Sequence, residues 1–268
     1  MCPVNGAMIM VHVRLLWLVL SLLCATRHGK ADEVLSAQQD NRPHVVMLIA
    51  EREYETMQSL KRFAKDQQKA YRFTIVAEDS NDRNRLIGLD SLRTADLMLV
   101  SVRRRTLPTD QLALIRKFVL QGKPVIGIRT ASHAFSLREQ KPPSGRADWQ
   151  NFDQQVFGGN YTNHHGNNLQ VKLSVADVGL NDPLLKGIDA GRNYASSSSL
   201  YRVSPLMKGA NVVMWGQVEG HPVEPIAWTY RRNDGGRSFY TSLGNAEDFR
   251  GRVLPALLEN ALVWGVSK

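Results

Sequence analysis

The sequence predicts an α/β protein built on a mainly parallel sheet. Two observations carry this. Between His44 and Phe135, short β-branched and aliphatic runs alternate with helical patterns, the signature of right-handed βαβ units. The fourth run, Pro124–Ile128, ends in a polar turn at Arg129-Thr130 and then resumes a helix-like pattern. In an open parallel sheet such a turn lies at the carboxyl end of a strand, where ligands and catalytic groups collect.

Each element follows in order. His44–Ala50 is a continuous apolar run, typical of a strand buried on both faces. Met57 to Tyr71 shows helical spacing, with Leu60, Phe63, Ala64 and Ala70 on one side. Arg72–Ala77 and Asp96–Val102 read as the second and third strands. Asp110–Leu120 reads as a helix, with Pro108 before it and Gly122 after it as start and stop signals. Arg138–Gln150 is a charged loop, and a second loop runs from Phe157 to Gly166. Leu169–Val175, Ala210–Gln217, Pro225–Tyr230 and Arg237–Leu243 are strand candidates, and Gly251–Val266 closes as a helix. Ser196–Ser199 is the one low-complexity tract.

The first 31 residues read as a secretory signal peptide: Arg14, an apolar run Leu15–Ala25, then Gly29-Lys30-Ala31 at the cut. The run is short for a membrane span of about 20 residues. A retained anchor or a lipidated Cys24 are the alternatives, and bulky Leu23 speaks against lipidation. The expected location is secreted or periplasmic, with residues 32–43 a linker and 44–268 one domain. Both cysteines, Cys2 and Cys24, leave with the signal. The mature chain then has no disulfide, no thiolate–zinc site and no cysteine nucleophile. Three of the 34 basic residues leave too and no acidic one does, so the net charge falls from +9 to +6. With no long Lys/Arg run, that surplus describes a basic surface and not a nucleic-acid partner.

Four segments together resemble the ThuA-like family: EREYET (Glu51–Thr56), GKPVIGIRTASHAF (Gly122–Phe135), VFGGNYTNHHG (Val156–Gly166) and GRSFYTSLGNAEDF (Gly236–Phe249). The exported form with GIRTASHAF is similar to a branch common in planctomycete-type bacteria. The resemblance runs from about His44 to the C-terminus. It implies a flavodoxin-like, class I glutamine amidotransferase-like three-layer fold, and a role in the use of trehalose or related sugars. Asn245 stands where many relatives carry histidine. If that histidine acts as a base or metal ligand, its role here is lost or moves to His164 or His165.

The candidate catalytic residues are Glu51, His164 and His165. Glu51 follows the first strand and so shares an edge with Arg129. It suits a general base, or else an acidic group at a helix start. His164 and His165 lie in a Gly/Asn-rich loop, where imidazoles are seldom placed for packing. Neighbours in an extended loop point apart, so one of them is expected in the site. The candidate substrate-binding residues are Glu53, Tyr54, Arg129, Thr130, His133 and Asn245. Arg129 occupies the turn where many hydrolases carry a Ser or Cys nucleophile. A guanidinium can clamp an anion or a hydroxyl but cannot attack a carbonyl. It is read either as that clamp or as half of a buried pair with Glu51. Trp149 and Trp228 suit sugar stacking or the core, and one of Arg103, Arg104 and Arg105 is expected to line the pocket. No metal ligand is assigned. The cofactor stays open, because a divalent ion at the loop histidines needs a third ligand such as His133, Glu51 or His221.

The leading functional reading is acid/base chemistry on a carbohydrate or keto sugar without a cysteine nucleophile, as a hydrolase, lyase or isomerase. The alternative is a non-catalytic sugar-binding module in the same cleft. The expected partner is a small carbohydrate. No stable membrane span remains after signal cleavage, and self-association stays open.

Overall fold

The structure, a computed structural model, describes residues 40–167, 169–177 and 182–267. The expected signal peptide, and the linker positions before residue 40, lie outside the described residues. In chain order the first half carries β1 (His44–Ala50), α1 (Thr56–Gln67), β2 (Arg72–Glu78), a two-residue β3 (Leu86–Ile87), β4 (Leu97–Val102), α2 (Thr109–Leu120) and β5 (Val125–Ile128). The second half adds β6 (Val171–Val175), β7 (Tyr194–Ser196), β8 (Ala210–Gln217), β9 (Glu224–Arg231), β10 (Arg237–Thr241), α3 (Ala246–Arg250) and α4 (Val253–Val266). The expected segments are thus present, with ends shifted by one to a few residues.

These strands form one sheet in the order β7-β6-β8-β9-β10-β5-β4-β1-β2-β3. The central five, β10 to β2, pair in parallel. Their chain order is the flavodoxin-like one. From β1 the chain moves out to β2, then returns across β1 to β4, so the switch point lies between β1 and β4. The strands β9, β8, β6 and β7 extend the sheet as an antiparallel wing. That orientation is not encoded in the strand patterns, which are short and apolar in both cases.

β1, β4 and β5 are buried at every position, as their unbroken apolar runs require. Alternate side chains face opposite layers. Val45, Met47 and Ile49 pack with Leu60 and Phe63 of α1 and with Leu254, Leu257, Leu258 and Leu262 of α4. Val46, Leu48 and Ala50 pack with Leu112, Ile115 and Phe118 of α2, and with Phe152, Phe157, Trp228 and Tyr240. The result is a three-layer α/β/α domain. Trp228 is fully buried and its Nε1 donates to the Phe157 carbonyl at 2.7 Å. Trp149 is buried under the Arg116 guanidinium, 4.1 Å from its ring. Both tryptophans serve the core. Among the described residues no helix is long and apolar enough to cross a membrane.

Candidate functional site

The turns after β1, β4, β5 and β10 carry Glu51, Arg103, Arg129 and Ser242–Asn245. Parallel strands place these together at one sheet edge. Arg129 occupies the elbow with a left-handed backbone (φ 45°) and begins a short 3-10 turn to His133. Its side chain is 1% exposed and makes no ion pair among the described residues. Nη1 donates to the Ser242 carbonyl at 2.7 Å, and Nη2 to the Ser199 hydroxyl at 2.8 Å. The guanidinium carbon lies 4.3 Å from the Tyr54 ring centre and 4.7 Å from that of Tyr201. Nε has no partner. Arg129 is therefore neither an open clamp nor a partner of Glu51. It supports the tyrosines that form the wall of the site.

Glu51 is also occupied by the fold. Its Oε2 accepts the backbone N–H groups of Glu53 and Tyr54, each at 2.9 Å. Oε1 accepts the Thr56 N–H at 2.9 Å and the Thr56 hydroxyl. Four donors on one carboxylate pin the loop that presents Tyr54, since Glu55, at the N-cap of α1, makes no side-chain cap of its own. Thr130 is buried with its hydroxyl unpartnered. Asn245 caps α3: its Oδ1 accepts the Asp248 N–H at 2.8 Å, and Nδ2 donates to Ser197 at 3.0 Å. These four positions frame the site without lining its hollow.

The hollow is a two-lobed cleft beside the turns after β1 and β4. One lobe, of about 320 Å³, is lined by Glu53, Tyr54, Arg103, Tyr201, Asn163 and His164 together with the shared residues. The other, of about 370 Å³, adds Ser132, Ser136, Glu139, Gln150, Asp153 and Asn160. Arg104, His133, Arg138 and Tyr161 line both lobes. Each lobe lies near the lower end of the range for ligand pockets, about 300–1,000 Å³.

His133 is buried, stacked on Tyr161 with ring centres 4.5 Å apart, and its Nδ1 lies 3.1 Å from the Ser132 hydroxyl. Burial, then the charges of Arg104 and Arg103, hold its pKa well below the usual imidazole value. It is neutral at pH 7. The two loop histidines do point apart. His164 lines the cleft, with Nδ1 3.0 Å from the Gly166 carbonyl. A carbonyl can only accept, so Nδ1 carries the hydrogen and the neutral ring keeps its lone pair on Nε2. His165 turns away, to Glu224 at 3.5 Å and to the His221 ring at 4.7 Å. Among the described residues no three His, Cys, Asp or Glu side chains are grouped to hold a metal ion.

Of the arginine triplet, two line the cleft. Arg103 meets Glu53 at 2.8 Å, while Arg105 is buried against Glu78 at 2.7 Å. Arg138, Tyr161, Tyr201 and Asp153 are cleft residues that sequence reasoning missed. Asp153 sits in a π-helical turn, Asp153–Phe157, ahead of the Gly158-Gly159 pair. Its Oδ2 accepts the Tyr161 N–H at 2.8 Å, and Oδ1 has no partner. Gly159 makes this possible, for a Cβ there would lie 2.4 Å from Oδ1. A carboxylate followed after a few residues by two glycines is a faint signal, and nothing in it announces burial.

The ThuA family, described as trehalose utilisation, matches residues 45–265. The chain belongs to the ThuA family. Among solved structures it resembles a putative ThuA-like protein from Bacteroides uniformis, with 17% identity and a TM-score of 0.63 over 85% of this chain and 94% of that one. A second, from Parabacteroides merdae, shares 13% identity at a TM-score of 0.58, over 84% and 90% of the two chains. At these identities the likeness to the ThuA-like structures concerns the fold. No curated protein matches.

Two predictions concern the ThuA site. Glu51→Gln keeps the shape but offers one acceptor oxygen and turns an NH₂ group toward donors. It is expected to destabilise the protein by about 1–3 kcal/mol, read from the urea midpoint; an unchanged midpoint would show that the turn does not need the carboxylate. For Asp153, burial pushes the carboxyl from 3.8 up to about 7. Below the unfolded value both states hold the proton. As pH rises toward the folded value, the unfolded chain ionises first and the folded state loses stability, completely so above about 7. Asp153→Asn keeps an oxygen for Tyr161 and removes the titration. The wild type should therefore lose stability relative to the variant across that window, and parallel profiles would refute it.

Proposed function

We propose that this ThuA-family chain binds a carbohydrate or keto sugar in the two-lobed cleft and acts on it by acid/base chemistry, without a cysteine nucleophile. The carrying observation is the contact of His164 Nδ1 with the Gly166 carbonyl at 3.0 Å, which calls for the hydrogen on Nδ1 and leaves Nε2 as a base on the cleft wall. Tyr54, Tyr161 and Tyr201 supply flat faces and hydroxyls, the usual means of holding a polyol ring. Neutral His133 can give or take a hydrogen bond there. A proton taken from carbon beside a sugar carbonyl leaves charge on oxygen, and Arg104 is placed to stabilise it. Hydrolysis, elimination and isomerisation share these parts.

The second reading is a non-catalytic sugar-binding module. It draws support from Glu51 and Arg129, because the base and the elbow residue are both consumed by hydrogen bonds within the fold.

The test is a screen of disaccharides and their 3-keto forms, read by mass change. His164→Asn is expected to lower turnover by about 10²-fold or more, whereas His165→Asn leaves turnover close to wild type. Binding without any mass change favours the second reading, and equal, near-wild-type turnover in both variants removes His164 from the mechanism.

The same proposal places the protein outside the cytoplasm, after cleavage near Ala31, on the strength of Leu15–Ala25 and Gly29-Lys30-Ala31. N-terminal sequencing of exported material is expected to begin near Asp32; an intact N-terminus in soluble cytoplasmic protein would overturn it.

A further inference from the structure

We infer that the sugar taken by this cleft carries a negative charge, a carboxylate or a phosphate, seated against Arg104 and Arg138. This rests on the carbohydrate reading and narrows its substrate class.

The lobe of about 320 Å³ is lined by three guanidiniums, Arg103, Arg104 and Arg138, and by one carboxylate, Glu53. Glu53 is already paired with Arg103 at 2.8 Å. Some arginines elsewhere are matched with acids, as Arg105 with Glu78 and Arg146 with Asp82. Among the described residues Arg104 and Arg138 have no such match. The Arg104 side chain donates only to the Ser136 carbonyl, at 3.2 Å. In the other lobe the acids are Glu139 and Asp153, and among the described residues neither is ion-paired with these two arginines.

Backbone conformation points the same way. Among the described residues four non-glycine positions have positive φ, and three are Arg104 (47°), Arg129 (45°) and Arg138 (62°). Side-chain-bearing residues adopt this region at a cost and are found there mainly at functional sites. Two of these strained positions hold the unpaired arginines at the cleft. Burial, then Arg138, lowers the Arg104 pKa, so the two cations act on each other. An arginine side chain is protonated at neutral pH. A planar fork binds carboxylate or phosphate through two parallel hydrogen bonds, while Tyr161 offers a face to the sugar ring.

Calorimetric titration of the full-length mature protein at low salt would use glucose, trehalose, glucuronate, glucose 6-phosphate and inorganic phosphate. Glucuronate or glucose 6-phosphate should bind at least 10-fold more tightly than glucose; which of them does so identifies the anionic group. Arg104→Gln/Arg138→Gln should abolish that preference, and a preference that survives the double variant would overturn the assignment to these two arginines. If the double variant does not fold, Arg138→Gln alone, at an exposed side chain without a partner, should reduce the preference. Equal binding of neutral and charged sugars would overturn the inference and leave the carbohydrate reading intact. Inorganic phosphate binding as tightly as glucose 6-phosphate would overturn it as a sugar site. No binding by any of the five would overturn both.

Discussion

The site depends on a cation buried without an anion. Moving the Arg129 guanidinium out of water costs several kcal/mol, and among the described residues no carboxylate pairs with it. The fold meets that cost with two carbonyl or hydroxyl contacts from Ser242 and Ser199 and two tyrosine faces. The partners come from three segments, so satisfying one side chain draws the end of β10, the stretch from Ser199 to Tyr201 and the loop after β1 together around the end of β5. The close approach leaves no room at Gly244: its φ is 150°, and a Cβ there would lie 2.7 Å from Ile128 Cγ2. Tyr240 closes the arrangement by donating to the Arg129 carbonyl at 2.5 Å.

The serine tract shows how such an anchor propagates. Ser196 and Ser198 both donate to Asp248 at 2.6 Å, Ser197 accepts from Asn245, and Ser199 accepts from Arg129. Asp248 also accepts the Gly244 N–H at 2.8 Å. All four hydroxyls are engaged, and a segment that looks like a flexible linker becomes the strap between α3 and the elbow. Asn245 belongs to that strap, which is why it works as a helix cap and stays out of the cleft.

The arginines divide by what surrounds them. Arg232 is buried and donates to Asp234, Lys123 O and Ser238, tying the hairpin turn to the end of α2. Arg105 is spent on Glu78, and Arg129 on the elbow. Arg103, Arg104 and Arg138 face the cleft, where burial first and then their charges lower the His133 pKa. A neutral imidazole beside cations is a hydrogen-bonding group at pH 7, whereas His164 on the wall keeps a free Nε2. The cleft thus carries its arginines and the open Nε2 of His164 on different loops.

The parallel core was legible in the sequence because its signal is local. An unbroken apolar run such as His44–Ala50 can be satisfied only by burial on both faces, and strand–helix alternation then brings Glu51, Arg103 and Arg129 to one edge by topology. The same logic showed that His164 and His165 diverge, since adjacent side chains in an extended segment oppose each other. Roles within that edge were not legible. Whether Glu51 is a base or a turn anchor depends on the four donors folded around it. Whether Arg129 or Arg104 is open to the cleft depends on which one Tyr54 and Tyr201 cover. Asp153 gained its raised pKa only from burial beneath Gly159 and Tyr161. Sequence by itself determined the elements, the edge and the absence of cysteine from the domain. Tertiary structure decided which charged groups were consumed by the fold and which were left facing solvent, because hydrogen-bond partners and burial arise from contacts between segments far apart in the chain.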